Sequence, residues 1–293
     1  MAPLQFNVDF IRKPGQGHSL KRRDHHRPAI SRKALLKLCL SAVLLLVTLF
    51  LVLPVASLLL KVSPGVFLQS LRDPVVMDAL SLSLATSAVT TITVILFGTP
   101  VAYVNARFHY PGKEIIDSFI DLPVIMPPAV AGIALLMAFG RMGVLGQHLN
   151  ALGFNVAFTT LAVIIAQIFV SAPFFMRQAR TSFEDVDRIY ECAARTLGAT
   201  DTYTFFHVTL PIAQNGLISG AIMTFARSLG EFGATIMFAG NFQGRTQTMP
   251  LAIYTAMQWD LDVSLCLALI LVAFSFLVIA LVRIFMSRMK EHA

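Results

Sequence analysis

Six long apolar runs limit what this chain can fold into. A helix that crosses the hydrocarbon core of a bilayer needs roughly 20 consecutive, mostly apolar residues. Of the 293 residues, 56% are hydrophobic and only 13% are charged, which argues against a soluble protein. The sequence therefore predicts an all-α, polytopic membrane protein with about six transmembrane helices. We place them at about 36–60, 79–104, 119–140, 157–177, 211–239 and 262–286.

Basic residues are distributed unevenly over the connections between these runs. If the N-terminus is inside, 18 Lys and Arg residues lie on the inner side and four (Lys61, Arg72, Arg141 and Arg245) lie outside. Cytoplasmic loops of membrane proteins carry such an excess of positive charge. We therefore expect both termini to lie in the cytoplasm. The net charge of +7 then reflects topology, and without a basic patch interleaved with aromatic residues it predicts no nucleic-acid partner.

Residues 1–35 form a basic tail ahead of the transmembrane domain, which covers residues 36–293. The tail has too few apolar residues to bury a core, so we expect it to be disordered or to lie on the membrane surface. It carries His18, His25 and His26. No cysteine or further ligand stands near them at the spacing of a metal site, and we predict no metal site.

The third apolar run opens with a proline-rich segment. Pro123, Pro127 and Pro128 cannot sit in a regular helix without loss of hydrogen bonds. In lipid, such a break is tolerated where protein or a water-filled cavity satisfies the freed carbonyl groups. Two interpretations stay open. The segment lines a pathway or the interior of a helix bundle, or it is a simple kink at the start of a helix.

The fifth run combines an apolar surface with one polar stripe. Arg227 and Glu231 are four residues apart, so on a helix they can form an ion pair. Each would cost about 2.5–3.5 kcal/mol at the centre of a bilayer. The stripe lines a pathway or a subunit interface, or the pair is purely structural; two glycines in it permit close approach of another helix. On a single helix the small and polar residues fall within an arc of roughly 120°: Gly216, Gly220, Thr224, Arg227, Ser228, Glu231 and Thr235.

A polar segment from Glu191 to Pro211 interrupts the apolar chain. Gly198 suits the end of a first short helix. Pro211 suits the first turn of the next helix, where its missing N–H costs nothing. On these features alone the segment is either an ordinary cytoplasmic linker or a surface where small residues, Ala193 and Ala194, let another protein approach the backbone closely.

The same segment resembles the "EAA" loop of ABC-importer permeases. In that loop, Glu-Ala-Ala is followed after three residues by Gly, and after nine more by an aliphatic residue, any residue and Leu-Pro. The family's Glu aligns with Cys192, and Glu191 stands one place earlier. The resemblance implies that the loop, at about 184–211, forms a coupling helix that docks into a cleft on an ATPase subunit. The positions that match are Ala193, Ala194, Gly198, Val208, Leu210 and Pro211.

A second resemblance narrows the family. Three segments, Phe225–Thr235, Ala239–Asn241 and Gly244–Tyr254, look like the molybdate/tungstate branch of these permeases, to which sulfate permeases are related. It implies ATP-driven import of a tetrahedral oxyanion through two copies of the chain, in the inner or plasma membrane of a prokaryotic cell. Two ABC ATPase subunits would use ATP and Mg, an extracytoplasmic binding protein would deliver the oxyanion, and the permease itself would bind no cofactor. The pathway or interface would be lined by Pro127, Pro128, Arg227, Ser228, Glu231 and Thr235.

The sequence holds no P-loop motif of the kind that cradles nucleotide phosphates, so we expect the chain not to be an enzyme. Two alternatives to molybdate or tungstate import stay open. One is a sulfate or thiosulfate permease. The other is an ion-coupled carrier that works alone, with Arg227 and Glu231 as its substrate and proton sites. Such carriers usually show an internal repeat, and the six runs show none.

Overall fold

The computed structural model describes residues 32–291. The basic tail, up to residue 31, lies outside the described residues, and so do its three histidines. The chain divides into two compact units, one ending at Val55 and one beginning at Ala56. The described part of the first unit is a single apolar helix with no buried residues in its span.

The described residues form helices and no strand, in agreement with the predicted all-α class. A π-helical turn, Phe205–Thr209, joins the ninth and tenth helices. The helices are α1 (Arg32–Lys61), α2 (Pro64–Ser70), α3 (Pro74–Arg107), α4 (Lys113–Ile125), α5 (Pro128–Phe139), α6 (Gly146–Ala151), α7 (Thr160–Glu184), α8 (Arg188–Thr196), α9 (Asp201–Thr204), α10 (Leu210–Leu229), α11 (Gly233–Phe238), α12 (Met249–Met257) and α13 (Leu261–Glu291).

The six predicted spans correspond to five continuous helical segments and one bent pair. The five are long and apolar enough to cross a membrane: Leu36–Lys61, Pro74–Arg107, Thr160–Glu184, Asp201–Leu229 and Leu261–Ile284. The third predicted span is instead α4 followed by α5, which bend by 117° where the prolines stand. The predicted break is confirmed, and the number of spans is six if the bent pair counts as one.

The centre of the second unit is a packed bundle of α3, α7 and α10. The predicted close approach at the two glycines is confirmed, because both lie against α7. A Cβ atom at Gly216 would collide with the side chain of Ser182, and one at Gly220 would lie 3.2 Å from side-chain atoms of Gln178 and Phe175. Small residues here let two backbones approach closely where neither helix gains from excluding water.

One prediction for the fifth run is wrong. The helix does not continue to Thr235 but ends at Leu229, and a separate helix, α11, begins at Gly233. The carboxylate of Glu231 accepts a hydrogen bond from the backbone N–H of Ala234 at 2.8 Å. It thereby satisfies a donor in the first turn of α11, which has no partner within its own helix. The polar stripe is therefore divided between two helices, and Thr235 lies on the second.

Candidate functional site

The polar segment folds into a short helix with a defined beginning and end. At the start of α8 the side chain of Asp187 accepts a hydrogen bond from the N–H of Ile189 at 2.9 Å. At its end Gly198 adopts φ +89°, a left-handed conformation that favours glycine. The N–H groups of Gly198 and of the next residue donate to the carbonyls of Arg195 and Ala194, both at 3.0 Å. This is a Schellman motif, and it confirms the predicted helix end.

The second half of the segment runs without interruption into the membrane-spanning helix. Pro211 lies in the first turn of α10, as predicted. However, α9, the π-helical turn and α10 form one 29-residue helical segment, Asp201–Leu229. The widened turn directly precedes Pro211, whose ring would clash with the carbonyl of His207 in a regular α-helix. No break in the helix therefore separates Asp201, at the end of the loop, from the membrane-spanning part of the segment.

Helix α8 has one inner and one outer face. Cys192 and Ala193 are exposed, Ala194 is half-buried and Glu191 is only 5% exposed. Large apolar side chains also point outward on or beside this helix, among them Ile189 and Leu197, which is 90% exposed. Exposed apolar residues grouped on a polar loop are typical of a surface that binds another protein.

Glu191 does not share the outer face with its neighbours. Its carboxylate forms an ion pair with Arg107 at 2.8 Å, and both side chains are 7% exposed. The hydroxyl of Thr209 donates to the same oxygen at 2.9 Å. Arg107 also donates to the carbonyl of Val186 at 2.9 Å. The sequence did not indicate Arg107 or Thr209, because no local spacing relates the ends of α3 and of the π-helical turn to α8.

Arg227 and Glu231 form the predicted ion pair at 2.7 Å, at the point where α10 ends. Glu231 is 1% exposed, whereas 28% of the Arg227 side chain is accessible. The Glu231 carboxylate therefore binds two groups, the guanidinium and the N–H of Ala234. With Glu231 fixed from two sides, Arg227 is the partner that remains able to contact something else.

Arg227 faces a cleft of about 110 Å³ at the break between α4 and α5. Pro123, Val124 and Pro128 line the same cleft. In a continuous helix, the carbonyls of Pro123 and Val124 would accept from residues 127 and 128, which are prolines and have no N–H. These two carbonyls near the end of α4 therefore have no helical N–H donors, and the cleft places the cationic side chain of Arg227 beside that helix end. Pro127, the remaining predicted residue of this segment, is exposed.

Besides Glu231, two further predicted pathway residues are buried within the subunit. Ser228 is 1% exposed and Thr235 is fully buried. The carbonyl of Ser228 accepts from the side-chain amide of Gln167 at 3.2 Å. The structure therefore brings Arg227 and Pro128 to one open cleft, and it places Ser228 and Thr235 behind it.

Gln167 is a further polar residue that the sequence reasoning missed. Its amide accepts from Thr90 at 3.0 Å and donates to Thr86 at 3.2 Å, in addition to its bond to Ser228. One side chain on α7 thereby joins α3 to the last turn of α10. The sequence did contain a signal: an amide side chain within the fourth apolar run, and two threonines, Thr86 and Thr90, four residues apart in the second.

A polar network joins α4 to α7 near the loop. Arg180 contacts Asp117 at 2.7 Å and Glu184 at 2.8 Å, and Arg177 contacts Asp121 at 2.5 Å. The bent pair of helices is therefore tied to the helix that leads into the polar segment. Among the described residues, no group of three or more His, Cys, Asp or Glu side chains is placed to hold a metal ion.

These features, a short helix on an exposed polar loop and a charged break within the spans, coincide with a family match. The family described as "Binding-protein-dependent transport system inner membrane component" matches residues 94–291. The chain belongs to this family. As a permease subunit it resides in the inner membrane and does not itself carry out an enzymatic reaction.

Individual relatives agree with the family. The permease is 41% identical over 230 residues to the molybdenum transport system permease protein ModB of Mycobacterium tuberculosis, covering 78% of this chain and 87% of ModB. It is 35% identical over 255 residues to the sulfate transport system permease protein CysT of Salmonella typhimurium, covering 86% and 92%. Both support the resemblance to the molybdate branch and its sulfate relatives.

The fold also resembles a solved transporter. A bacterial ABC transporter involved in the import of the acidic polysaccharide alginate superposes with a TM-score of 0.72, at 14% identity, over 88% of this chain and 97% of that chain. At this identity the likeness concerns the fold alone. The family match identifies the permease as the membrane-spanning subunit of an ABC importer. The same match sets aside the alternative of a carrier that works alone.

Proposed function

We propose that this permease carries molybdate, or tungstate, across the inner membrane of a prokaryotic cell. The observation that supports this most strongly is its 41% identity to ModB over most of both chains, which exceeds its 35% identity to CysT. Sulfate and thiosulfate are the second candidate, supported by the CysT match. Molybdate, tungstate and sulfate are all tetrahedral dianions, so one pathway chemistry serves each of them.

The proposed assembly contains two copies of the permease, two ATPase subunits and an extracytoplasmic binding protein. The ATPases use ATP and Mg, and the permease needs no cofactor of its own. Both termini lie in the cytoplasm, on the same side as the loop that docks on the ATPases. The outer face of α8, with Cys192 and Ala193, supplies the contact surface.

The loop acts as a lever on the membrane-spanning helices. The segment Asp201–Leu229 has 29 residues, and at about 1.5 Å per residue it is roughly 43 Å long. Its cytoplasmic end follows the docking helix, and its far end carries Arg227. When the ATPases close on ATP, they shift α8, and α10 moves the Arg227 cleft against the break between α4 and α5. Hydrolysis then returns the permease to its resting state.

Arg227 gives the pathway a weak and transient contact for an anion. Because Glu231 neutralises most of its charge at 2.7 Å, the cleft does not hold a strong positive field. High-affinity capture of the oxyanion then takes place on the binding protein. A conduit of this kind releases its substrate readily, as import requires.

The decisive experiment measures ATP hydrolysis and uptake by the permease reconstituted with its ATPase in lipid vesicles. Binding protein loaded with molybdate, tungstate or sulfate is added in turn to the outside. We expect molybdate- or tungstate-loaded protein to stimulate both activities, and Gly198→Arg to abolish the stimulation by disrupting the end of α8. Stimulation by the sulfate-loaded form alone would identify a sulfate permease, and absence of any stimulation would overturn the proposal.

A further inference from the structure

The docking helix is tied to the rest of the permease at one buried point. We infer that Arg107, Glu191 and Thr209, which we call the strut, make α8 move as one body with the end of α3 and the start of the α10 segment. Arg107 is the last residue of α3 and Thr209 the last residue of the π-helical turn. Glu191 lies between them, at 2.8 Å from the guanidinium and 2.9 Å from the hydroxyl.

The contacts around Arg107 fix both ends of the connection that leads into α8. Its guanidinium binds the Val186 carbonyl just before the helix at 2.9 Å. Its own carbonyl accepts from the guanidinium of Arg188, the first residue of the helix, at 3.2 Å. Two arginines thus exchange bonds between α3 and α8, and the ion pair to Glu191 completes the attachment.

Helix α8 has little else to hold it in place. It has nine residues, and a helix of that length is not stable in water without tertiary contacts. Of its residues only Glu191 is buried. The strut is therefore the attachment that determines whether a push on the outer face of α8 moves the transmembrane helices or only bends the loop.

Stability alone does not account for an ion pair at this place. Apolar side chains of similar volume stabilise a buried site as well as a buried ion pair does, or better. Here the Nε atom of Arg107 is also buried without a hydrogen-bond partner, which adds a cost of desolvation. What charged hydrogen bonds provide is a fixed distance and direction between three elements. The strut is accordingly a positioning device, and its residues act through α8 and not on the substrate.

This role rests on the proposed function, because a rigid attachment matters only where an ATPase drives the loop. Its test needs variants that lose the strut without keeping a lone buried charge. Arg107→Gln and Glu191→Gln each leave the partner charge unpaired, so both are expected to be destabilised. The double variant Arg107→Gln/Glu191→Gln removes both charges together. Glu114→Gln, at an exposed carboxylate near the start of α4, is the matched control.

The first measurement does not depend on the substrate. Cys192 is exposed on the outer face of α8, Cys266 is buried, and Cys39 is exposed in α1. In a Cys39→Ser background, a nitroxide spin label on Cys192 reports the mobility of α8 in the full-length permease in lipid nanodiscs. We expect a slow, restricted label in the parent protein and in the Glu114→Gln control. We expect a markedly faster label in the double variant, at an unchanged melting temperature.

The second measurement is the amount of oxyanion imported per ATP hydrolysed in the vesicles described above. We expect this ratio to fall roughly 2- to 30-fold in the double variant, the range over which substitutions along a coupling network act. A double variant with both a restricted label and a normal ratio would overturn the strut. If the parent complex shows no stimulation, the proposed function fails, while the spin label still tests the attachment of α8.

Discussion

The described part of the permease buries two glutamates, Glu191 and Glu231, each paired with an arginine, near opposite ends of one helical segment. The pair at the coupling loop joins residues from distant parts of the sequence, and both of its side chains are 7% exposed. The pair in the membrane joins residues four positions apart at the end of α10, and its arginine is 28% exposed. In the first pair both side chains are enclosed by the protein, whereas in the second the guanidinium of Arg227 remains accessible from a cleft. This difference suits a fixed attachment at one end and a movable contact at the other.

We expect the largest loss of stability when Arg227, the more exposed partner of the membrane pair, is replaced. Arg227→Gln leaves the Glu231 carboxylate buried without its counter-ion, which costs about 3–5 kcal/mol. In Glu231→Gln, Arg227 still reaches the cleft, and the oxygen of the introduced amide still accepts from the N–H of Ala234. We therefore expect a smaller loss of stability. The measurement is the temperature at which each variant aggregates, determined by size-exclusion chromatography after heating in detergent. Equal losses would show that the two partners are equally confined.

The membrane pair was accessible to sequence reasoning because its spacing is local. A separation of four residues on a helix defines which side chains meet, and the family-like spacing of Ala193, Ala194 and Gly198 likewise depends on one segment. Arg107 was not accessible, because its partners are brought to it only by the packing of α3 against α7 and α10. A one-residue difference in position also decides the direction of a side chain. On a helix it is a rotation of about 100°, which separates buried Glu191 from exposed Cys192.

The break after Leu229 was missed for a related reason. Between Phe225 and Thr235 the sequence has no proline, and its periodicity continues across Gly230 and Gly233, although glycine has a low helix propensity. In the structure α10 ends at Leu229 with Gly230 as its C-cap, the Glu231 carboxylate caps the first turn of α11, and Gly233 packs closely on Pro128. The break in the third run was predicted correctly because each proline lacks a backbone N–H, and the prolines are visible in the sequence. The proline break was thus predictable from the sequence, whereas the close packing of Gly233 on Pro128, a contact between distant residues, was not.

We expect the loop and the Arg227 cleft to be coupled through the contact of α7 with α10, and Gly216→Val tests this expectation. The added side chain collides with Ser182 and forces the helices apart, a change that costs about 1–3 kcal/mol or more. We expect lower thermal stability and a loss of stimulated ATP hydrolysis, even though both ion pairs keep their residues. Gly65→Ala, in α2, is the control, since no atom lies within 4 Å of the new methyl group. Normal stimulation in Gly216→Val would mean that the loop and the cleft are coupled by another route.

An intermediate effect is expected at the amide that supports the membrane pair. Gln167→Leu removes three hydrogen bonds, to Thr86, Thr90 and the carbonyl of Ser228, each worth about 0.5–1.5 kcal/mol. All three groups keep at least one other hydrogen bond, so the loss comes from the missing bonds and not from unpaired groups. The last turn of α10 is then less well fixed, so uptake should decline more than basal ATP hydrolysis. Thr181→Ala, a hydroxyl on the exposed side of the same helix, provides the control. A parallel decline of uptake and basal hydrolysis would assign Gln167 to general stability.

The smallest effect is expected at a third ion pair, which lies in the same loop as the strut but at the surface. Arg195 and Asp201 are 2.9 Å apart, with side chains 51% and 86% exposed. Water and salt screen such a pair, so Arg195→Gln should cost roughly 0–1 kcal/mol, and any loss should vanish in high salt. Melting temperatures of Arg195→Gln and Arg107→Gln, measured at low and high salt, give the comparison directly. If the surface pair proved as costly to break as the buried one, burial would not be what distinguishes the strut from the other charges of the loop.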